Sequence, residues 1–470
     1  MEFIITKRAF NIFVMTIVII GITFFCYIVG YSLMIPLLLL FLGSQLYFLK
    51  KAKGRIFLHL GLLLVLIVFC THTIVHYSSF SPLFVPVASI SILTVLLFND
   101  IQLAFMMAFV SSMIVSIISD GDFNMMLTFF IGSLAGMYSA KEARTRGQLI
   151  KAGFVVSALH MVCLALQYPS LNILFTKRFY ENNVNPLLWN GIISALLVVA
   201  SLKIFEYLFG VLTNYSLLEL SDFNQPLLKR MILEAPGTYH HSIIVGNLAE
   251  AAADAIGANA LLTRVGAYYH DIGKLLKPEY FTENQIMGGN KHDKIEPSVS
   301  RLVILNHVKE GIELAKRYRL NPVIIDFIPQ HHGTSLIYYF YKKSLEGAEK
   351  GEIMPEENFR YPGPKPQTRE TAITLLADSV EAAVRALDDP NPTNIEETVK
   401  KIVNNKFIDG QLDECNLTLK EINKISSTFT RVLSSMYHSR VKYPEGRNGN
   451  NNKESTEKSR SQSSSNKKGS

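Results

Sequence analysis

The chain has 470 residues, 49% of them hydrophobic, and a formal net charge of +7. That length exceeds one ordinary domain, and the surplus base is too localised for a nucleic-acid footprint: residues 1–213 hold 13 basic and 7 acidic side chains, residues 214–439 hold 25 and 29, and the rest from Arg440 holds 8 and 3. Four cysteines, with Cys26, Cys70 and Cys163 in apolar runs and Cys415 alone, give neither a disulfide framework nor a CxxC pair.

A bilayer core of roughly 30 Å needs about 20 apolar residues per helix. The uncharged stretch from Ala9 to Phe48 is too long for one span and is read as two, turning tightly at Gly30-Tyr31-Ser32. No small-residue cleavage pattern interrupts it, which argues against a signal peptide. Apolar runs at about 56–76, 80–98, 101–118, 123–139, 152–168 and 187–212 bring the expected total to eight spans. Basic clusters at Lys7-Arg8, at Lys50 to Arg55 and at Lys141 to Lys151 fall on one side if the spans alternate. That side should be cytoplasmic, with only Lys177 and Arg178 dissenting. Residues 1–213 therefore read as a transmembrane region in contact with the lipid bilayer. His59, His72, His76 and His160 lie in or beside spans and are assigned structural or interfacial roles, since none clusters with a carboxylate.

Residues 214–235 read as a connecting helix pair broken at Pro226. Beyond them apolar residues recur at helical spacing, as in Ile243-Val245-Leu248-Ala249-Ala252, and no alternating strand pattern of useful length occurs. YPGPKPQT, residues 361–368, is expected to be a loop leading into an Ala-rich helix at 370–387. Residues 236–440 are thus expected to form an all-α domain, and 441–470 a disordered basic tail.

Seven of the twelve histidines lie between 240 and 332. Imidazole nitrogen and carboxylate oxygen together suit metals such as iron and manganese. His270-Asp271 follows a helical apolar run and precedes Ile272-Gly273-Lys274, where the glycine is expected to permit a sharp turn and the lysine to reach a phosphate oxygen. His292-Asp293 has the same two letters in a loop setting, so the dipeptide alone is a weak signal.

EAPGTYHHS, YYHDIGK, the His307 segment, QHHGTSL, YPGPKPQT and LLADSVEAA occur in an order and spacing that resemble the HD superfamily of metal-dependent phosphohydrolases. More narrowly, the chain is similar to the seven-transmembrane HD family of cyclic di-AMP phosphodiesterases. The resemblance implies two divalent transition-metal ions, Mn or Fe. His241, His270, Asp271 and Asp378 would hold the first, and Asp271, His307, His331 and His332 the second, with Asp271 bridging. It leaves His240 outside the site. Asp271 and Lys274 are the expected catalytic residues. Lys274, Tyr341 and Lys365 are the substrate-binding candidates, Tyr341 from an aromatic run Tyr338 to Tyr341 and Lys365 from the GPKP loop.

The implied function is hydrolysis of cyclic di-AMP to linear pApA by a multi-pass protein of the bacterial inner membrane. The HD domain and both termini would face the cytoplasm, no nucleic-acid polymer would be a partner, and the bundle could pair two copies as a homodimer. Two alternatives stand beside it. One is an HD phosphodiesterase for cyclic di-GMP, disfavoured because HHGTSLIYYF lacks the Gly-Tyr-Pro element of that group. The other is a nucleotide-binding membrane receptor without turnover. One departure accompanies the resemblance: family members usually carry a large extracellular domain after the first span, where Gly30-Tyr31-Ser32 stands here.

Overall fold

A computed structural model describes residues 34–48, 54–120, 123–168, 176–285, 291–347 and 355–437, with a few single positions before residue 25. Apart from those single positions, the expected first span lies outside these residues, as do the Gly30-Tyr31-Ser32 turn and the basic tail. Every regular element among the described residues is a helix, apart from one isolated bridge between Leu336 and Arg360.

The N-terminal part is a bundle of apolar helices: α1 (Met34–Phe48), α2 (Gly54–Tyr77), α3 (Ala88–Phe98), α4 (Ile101–Ile118), α5 (Phe123–Ala140), α6 (Arg146–Gln167) and α7 (Asn185–Phe209). Among the described residues, five apolar helices are long enough to cross a membrane: Ile56–Tyr77, Ile101–Ile118, Phe123–Ala140, Arg146–Gln167 and Lys177–Phe209. The run at 80–98 departs from expectation. It breaks into a 3-10 turn, Pro82–Phe84, and the 11-residue α3, which at 1.5 Å per residue rises only about 16 Å. All of α3 except Leu96 and Phe98 is buried. Backbone freed from a helix ladder needs other protein groups to satisfy it where water is excluded. Here the Asn190 side-chain amide on α7 donates to the carbonyls of Leu83 at 2.9 Å and Val85 at 2.7 Å.

Helices α6 and α7 touch through glycine. A Cβ on Gly153 would lie 2.6 Å from the Gly191 carbonyl oxygen, and one on Gly191 would lie 2.2 Å from that of Gly153. Such small-residue contacts let membrane helices pack backbone to backbone. The His59 ring near the start of α2 stacks on Phe209 at the end of α7, with centroids 4.1 Å apart. The Tyr215 hydroxyl donates to the Thr145 carbonyl at 2.6 Å. The starts of α2 and α6 therefore share one end of the bundle with the exit into the second half of the chain.

That exit is tied by hydrogen bonds. The buried Glu206 carboxylate accepts from Ser216 Oγ at 2.7 Å and from the Thr213 hydroxyl. The expected helix pair follows as α8 (Asn214–Leu220) and α9 (Pro226–Glu234). The domain beyond is built on α10 (Pro236–Ile256), which packs against α11 (Ala260–Tyr269), α12 (Arg369–Arg385) and α13 (Leu419–Tyr437). Val245, Leu248, Leu376, Val380, Ile425 and Phe429 form one fully buried core. A second, around Val265, Tyr269, Ile272, Ile324 and Ile328, lies on the other side of α11.

Candidate metal centre

Five segments bring seven side chains together. His241 comes from α10, His270 and Asp271 from the end of α11, and His307 from helix Pro297–Arg317. His331 and His332 follow the short helix Phe327–Gln330, and Asp378 lies on α12. His270 is fully buried, and Asp271, His307 and His331 are each 1% exposed.

Three of the rings are aimed by one local device. His270, His307 and His331 each direct Nδ1 at the carbonyl of the residue three positions earlier: Ala267 at 2.6 Å, Ile304, and Ile328 at 2.6 Å. Their Nε2 atoms converge on Asp271, at 3.2, 3.5 and 3.5 Å respectively. His241 is aimed by a carboxylate instead: Nδ1 lies 2.6 Å from Glu381 Oε2, and Nε2 lies 3.0 Å from Asp378 Oδ1. His332 turns Nδ1 toward Asp378 Oδ2 at 3.7 Å and stacks on Tyr361, with centroids 4.1 Å apart. His240 is exposed.

Burial opposes ionisation of Asp271, but the charges of His270 and Lys274 outweigh it and hold the carboxyl well below its usual range. Asp378 is likewise held down, its burial overcome by the hydrogen bond and charge of His241. Burial lowers His307 to about 4, and burial together with the charge of His331 takes His332 well below the ordinary value. Both are neutral at pH 7, the form that ligates metal.

The donor set fits cations. Nε2 of His270, His307 and His331 and Oδ1 of Asp271 are buried with no hydrogen-bond partner among the described residues. Each such atom costs about 1–3 kcal/mol, a penalty that a cation accepting the lone pairs removes. Among the described residues, three groups present ligand atoms within 4.8 Å of one another: His307, His331 and His332; His241, His270 and Asp378; and His270, Asp271 and His331. The first two fall within the two separate sets implied by the resemblance, and the third draws on both.

Two residues of YYHDIGK have tertiary partners that the sequence does not show. Gly273 lies in a 3-10 turn, Ile272–Leu276, and is not among the residues of positive φ. Its reason is proximity: a Cβ there would sit 1.8 Å from the His307 carbonyl oxygen. The Lys274 side chain is 13% exposed, with Nζ 2.7 Å from Asp271 Oδ2 and 2.8 Å from Glu283 Oε1. Burial opposes its charge, but the two carboxylates override that and raise its pKa. Its charge is thus engaged inside the protein.

A cavity of about 490 Å³ opens above the cluster, lined by His241, His307, His332 and Asp378 and walled by Tyr280, Phe281, Tyr339 and Phe340. Tyr341 and Lys365 are not among its lining residues. Tyr341 packs on Phe359, and Lys365 lies 3.7 Å from Asp413, so the fold turns both toward other partners. Glu283, Tyr361 and Glu381 escaped the sequence reading. Only Glu381 had a signal, since it follows Asp378 by three residues and such pairs share a helix face.

The family pattern described as 7TM receptor with intracellular HD hydrolase matches residues 27–213, and the HD domain pattern matches 238–383. Cyclic-di-AMP phosphodiesterase PgpH of Bacillus subtilis is 41% identical over 370 residues, covering 77% of this chain and 51% of that protein. The Listeria monocytogenes protein of the same name is 42% identical over 322 residues, covering 68% and 44%. The chain thus spans about half the length of these curated relatives. A crystal structure of the L. monocytogenes PgpH HD domain in complex with cyclic-di-AMP is 50% identical, covers 46% of this chain and all of that one, and has a TM-score of 0.44. With the two patterns side by side in one chain, and relatives at this identity, the protein belongs to the family of 7TM receptors with an intracellular HD hydrolase.

Proposed function

We propose that the protein is a membrane-bound, metal-dependent phosphodiesterase that hydrolyses cyclic di-AMP to linear pApA. The observation that carries this reading is the set of four buried, unpartnered donor atoms on His270, Asp271, His307 and His331. Its support on the substrate side is that two relatives more than 40% identical bear the name cyclic-di-AMP phosphodiesterase.

In this reading His241, His270, Asp271 and Asp378 hold one cation, and Asp271, His307, His331 and His332 hold a second, each Mn or Fe. Such a pair supplies Lewis acidity toward a phosphate oxygen and lowers the pKa of water. The carbonyls of Ala267, Ile304 and Ile328 and the carboxylate of Glu381 keep the rings oriented. The depressed pKa values of Asp271 and Asp378 keep both carboxylates ionised at neutral pH. Lys274 balances Asp271 and Glu283. The aromatic wall offers faces on which adenine can stack.

The HD domain would face the cytoplasm at the bacterial inner membrane, in keeping with the basic loops at the end of the bundle from which it emerges. The test uses the full chain in lipid nanodiscs, loaded with Mn²⁺ or Fe²⁺ and offered cyclic di-AMP and cyclic di-GMP separately. Appearance of pApA is expected. Metal-loaded protein that cleaves neither would sink the enzyme reading, whereas preference for the guanine dinucleotide would sink the base assignment alone.

A further inference from the structure

A dinucleotide carries a second phosphate besides the one at the metal centre, and the lysine deepest in the cavity is already engaged. Lys274 lies between Asp271 and Glu283. Arg385 also lines the cavity. It shares one face of α12 with Asp378 and Ala382, because positions i, i+4 and i+7 of a helix align. Seven residues separate Arg385 from Asp378 by about 10 Å along the helix axis. The Asp378 side chain is 12% exposed and that of Arg385 is 41% exposed, so the guanidinium stands nearer to solvent than the carboxylate.

One edge of the guanidinium is fixed, with Nη1 3.1 Å from Glu381 Oε1, while the other Glu381 oxygen holds His241. A guanidinium has five N–H donors in a rigid fork, so a single contact leaves donors for a second acceptor. Its planar fork suits phosphate, and anchoring by Glu381 reduces the freedom it would lose on binding one.

We infer that Arg385 binds the second, uncleaved phosphodiester of a cyclic dinucleotide; this rests on the substrate proposed above. With one phosphate at the histidine–aspartate cluster, the other extends along α12 toward the rim where Arg385 stands. Arg385 is therefore a determinant of specificity for esters carrying two phosphates over those carrying one.

The test is kinetic, on the full chain in nanodiscs with Mn²⁺ bound, using cyclic di-AMP and the single-phosphate diester bis(p-nitrophenyl) phosphate. Arg385→Gln is expected to lower the ratio of kcat/KM for cyclic di-AMP to that for the simple diester by roughly tenfold or more, mainly through KM. Arg385→Lys keeps charge but loses the fork and should fall between. Metal content is measured alongside. A ratio unchanged in Arg385→Gln overturns the assignment, whether both activities hold or both fall with lost metal; in the second case Arg385 only positions Glu381. If the wild-type chain leaves cyclic di-AMP intact, the substrate reading has itself failed and this assignment falls with it.

Discussion

Lys274 Nζ stands 2.7 Å from Asp271 Oδ2 and 2.8 Å from Glu283 Oε1, so a cation and two carboxylates share the floor of the site. Removing one member of a buried pair strands its partner's charge, at a cost of about 3–5 kcal/mol. Lys274→Met should lower the melting temperature of the metal-free protein clearly, and Lys274→Met with Glu283→Gln should recover part of the loss. A double-mutant cycle by thermal unfolding checks this; strictly additive effects would refute the coupling.

Glu381 accepts from His241 Nδ1 and so holds the ring that reaches Asp378. Loss of a carboxylate behind a ligating histidine lowers metal affinity by about 10–100-fold. Glu381→Ala is expected to show that loss in a chelator-competition titration, and wild-type affinity would refute the ligand role of His241.

The two adjacent histidines should behave differently. His240 is exposed, while His241 is buried within hydrogen-bond reach of two carboxylates. His240→Ala should keep its full metal complement, and His241→Ala should lose at least one equivalent by elemental analysis. The reverse pattern would mean that the register of the site is wrong.

Metal uptake should depend on pH through His241. Burial opposes its charge, but hydrogen bonds to Asp378 and Glu381 outweigh that and raise its pKa from 6.5 to about 9 in the metal-free site. The raised pKa contributes stability to the metal-free fold below about pH 6.5, and that contribution is lost as pH rises through about 9. A cation needs the neutral ring, so binding between these limits releases a proton and strengthens with pH by up to about tenfold per unit. Calorimetry of Mn²⁺ binding in buffers of different ionisation enthalpy should detect that proton at pH 7.5, and its absence would rule the mechanism out.

Gly273 meets the His307 carbonyl oxygen so closely that an added methyl, at 1.8 Å, cannot be accommodated without movement. Overpacking of this kind costs about 1–3 kcal/mol. Gly273→Ala should lower both the melting temperature and the metal-to-protein ratio, because the helix it displaces carries His307. A variant that melts lower yet keeps all its metal would separate packing from the site.

Much of this was legible in the sequence because helical periodicity and histidine spacing are local signals. The helix pair around Pro226 and the all-helical second half follow from them. Pro82 and Pro86 mark the break in the run at 80–98, but what satisfies its freed carbonyls was not legible, since Asn190 lies more than a hundred residues later. The ion-pair partner of Lys274 was not legible for the same kind of reason: Glu283 sits in a segment without periodicity, and nothing local says that it folds back on the lysine. Tyr341 lies one position beyond the cavity-lining Phe340, a difference of about 100° around a helix.

The shared aim of His270, His307 and His331 has one more consequence. Each ring is braced by a carbonyl from its own chain segment, three residues back, so its direction depends on the integrity of a single helical turn. Three separate segments carry the three turns. Fraying of one turn would release one ring and leave the other two in place, so the cluster should come apart in steps rather than as a unit.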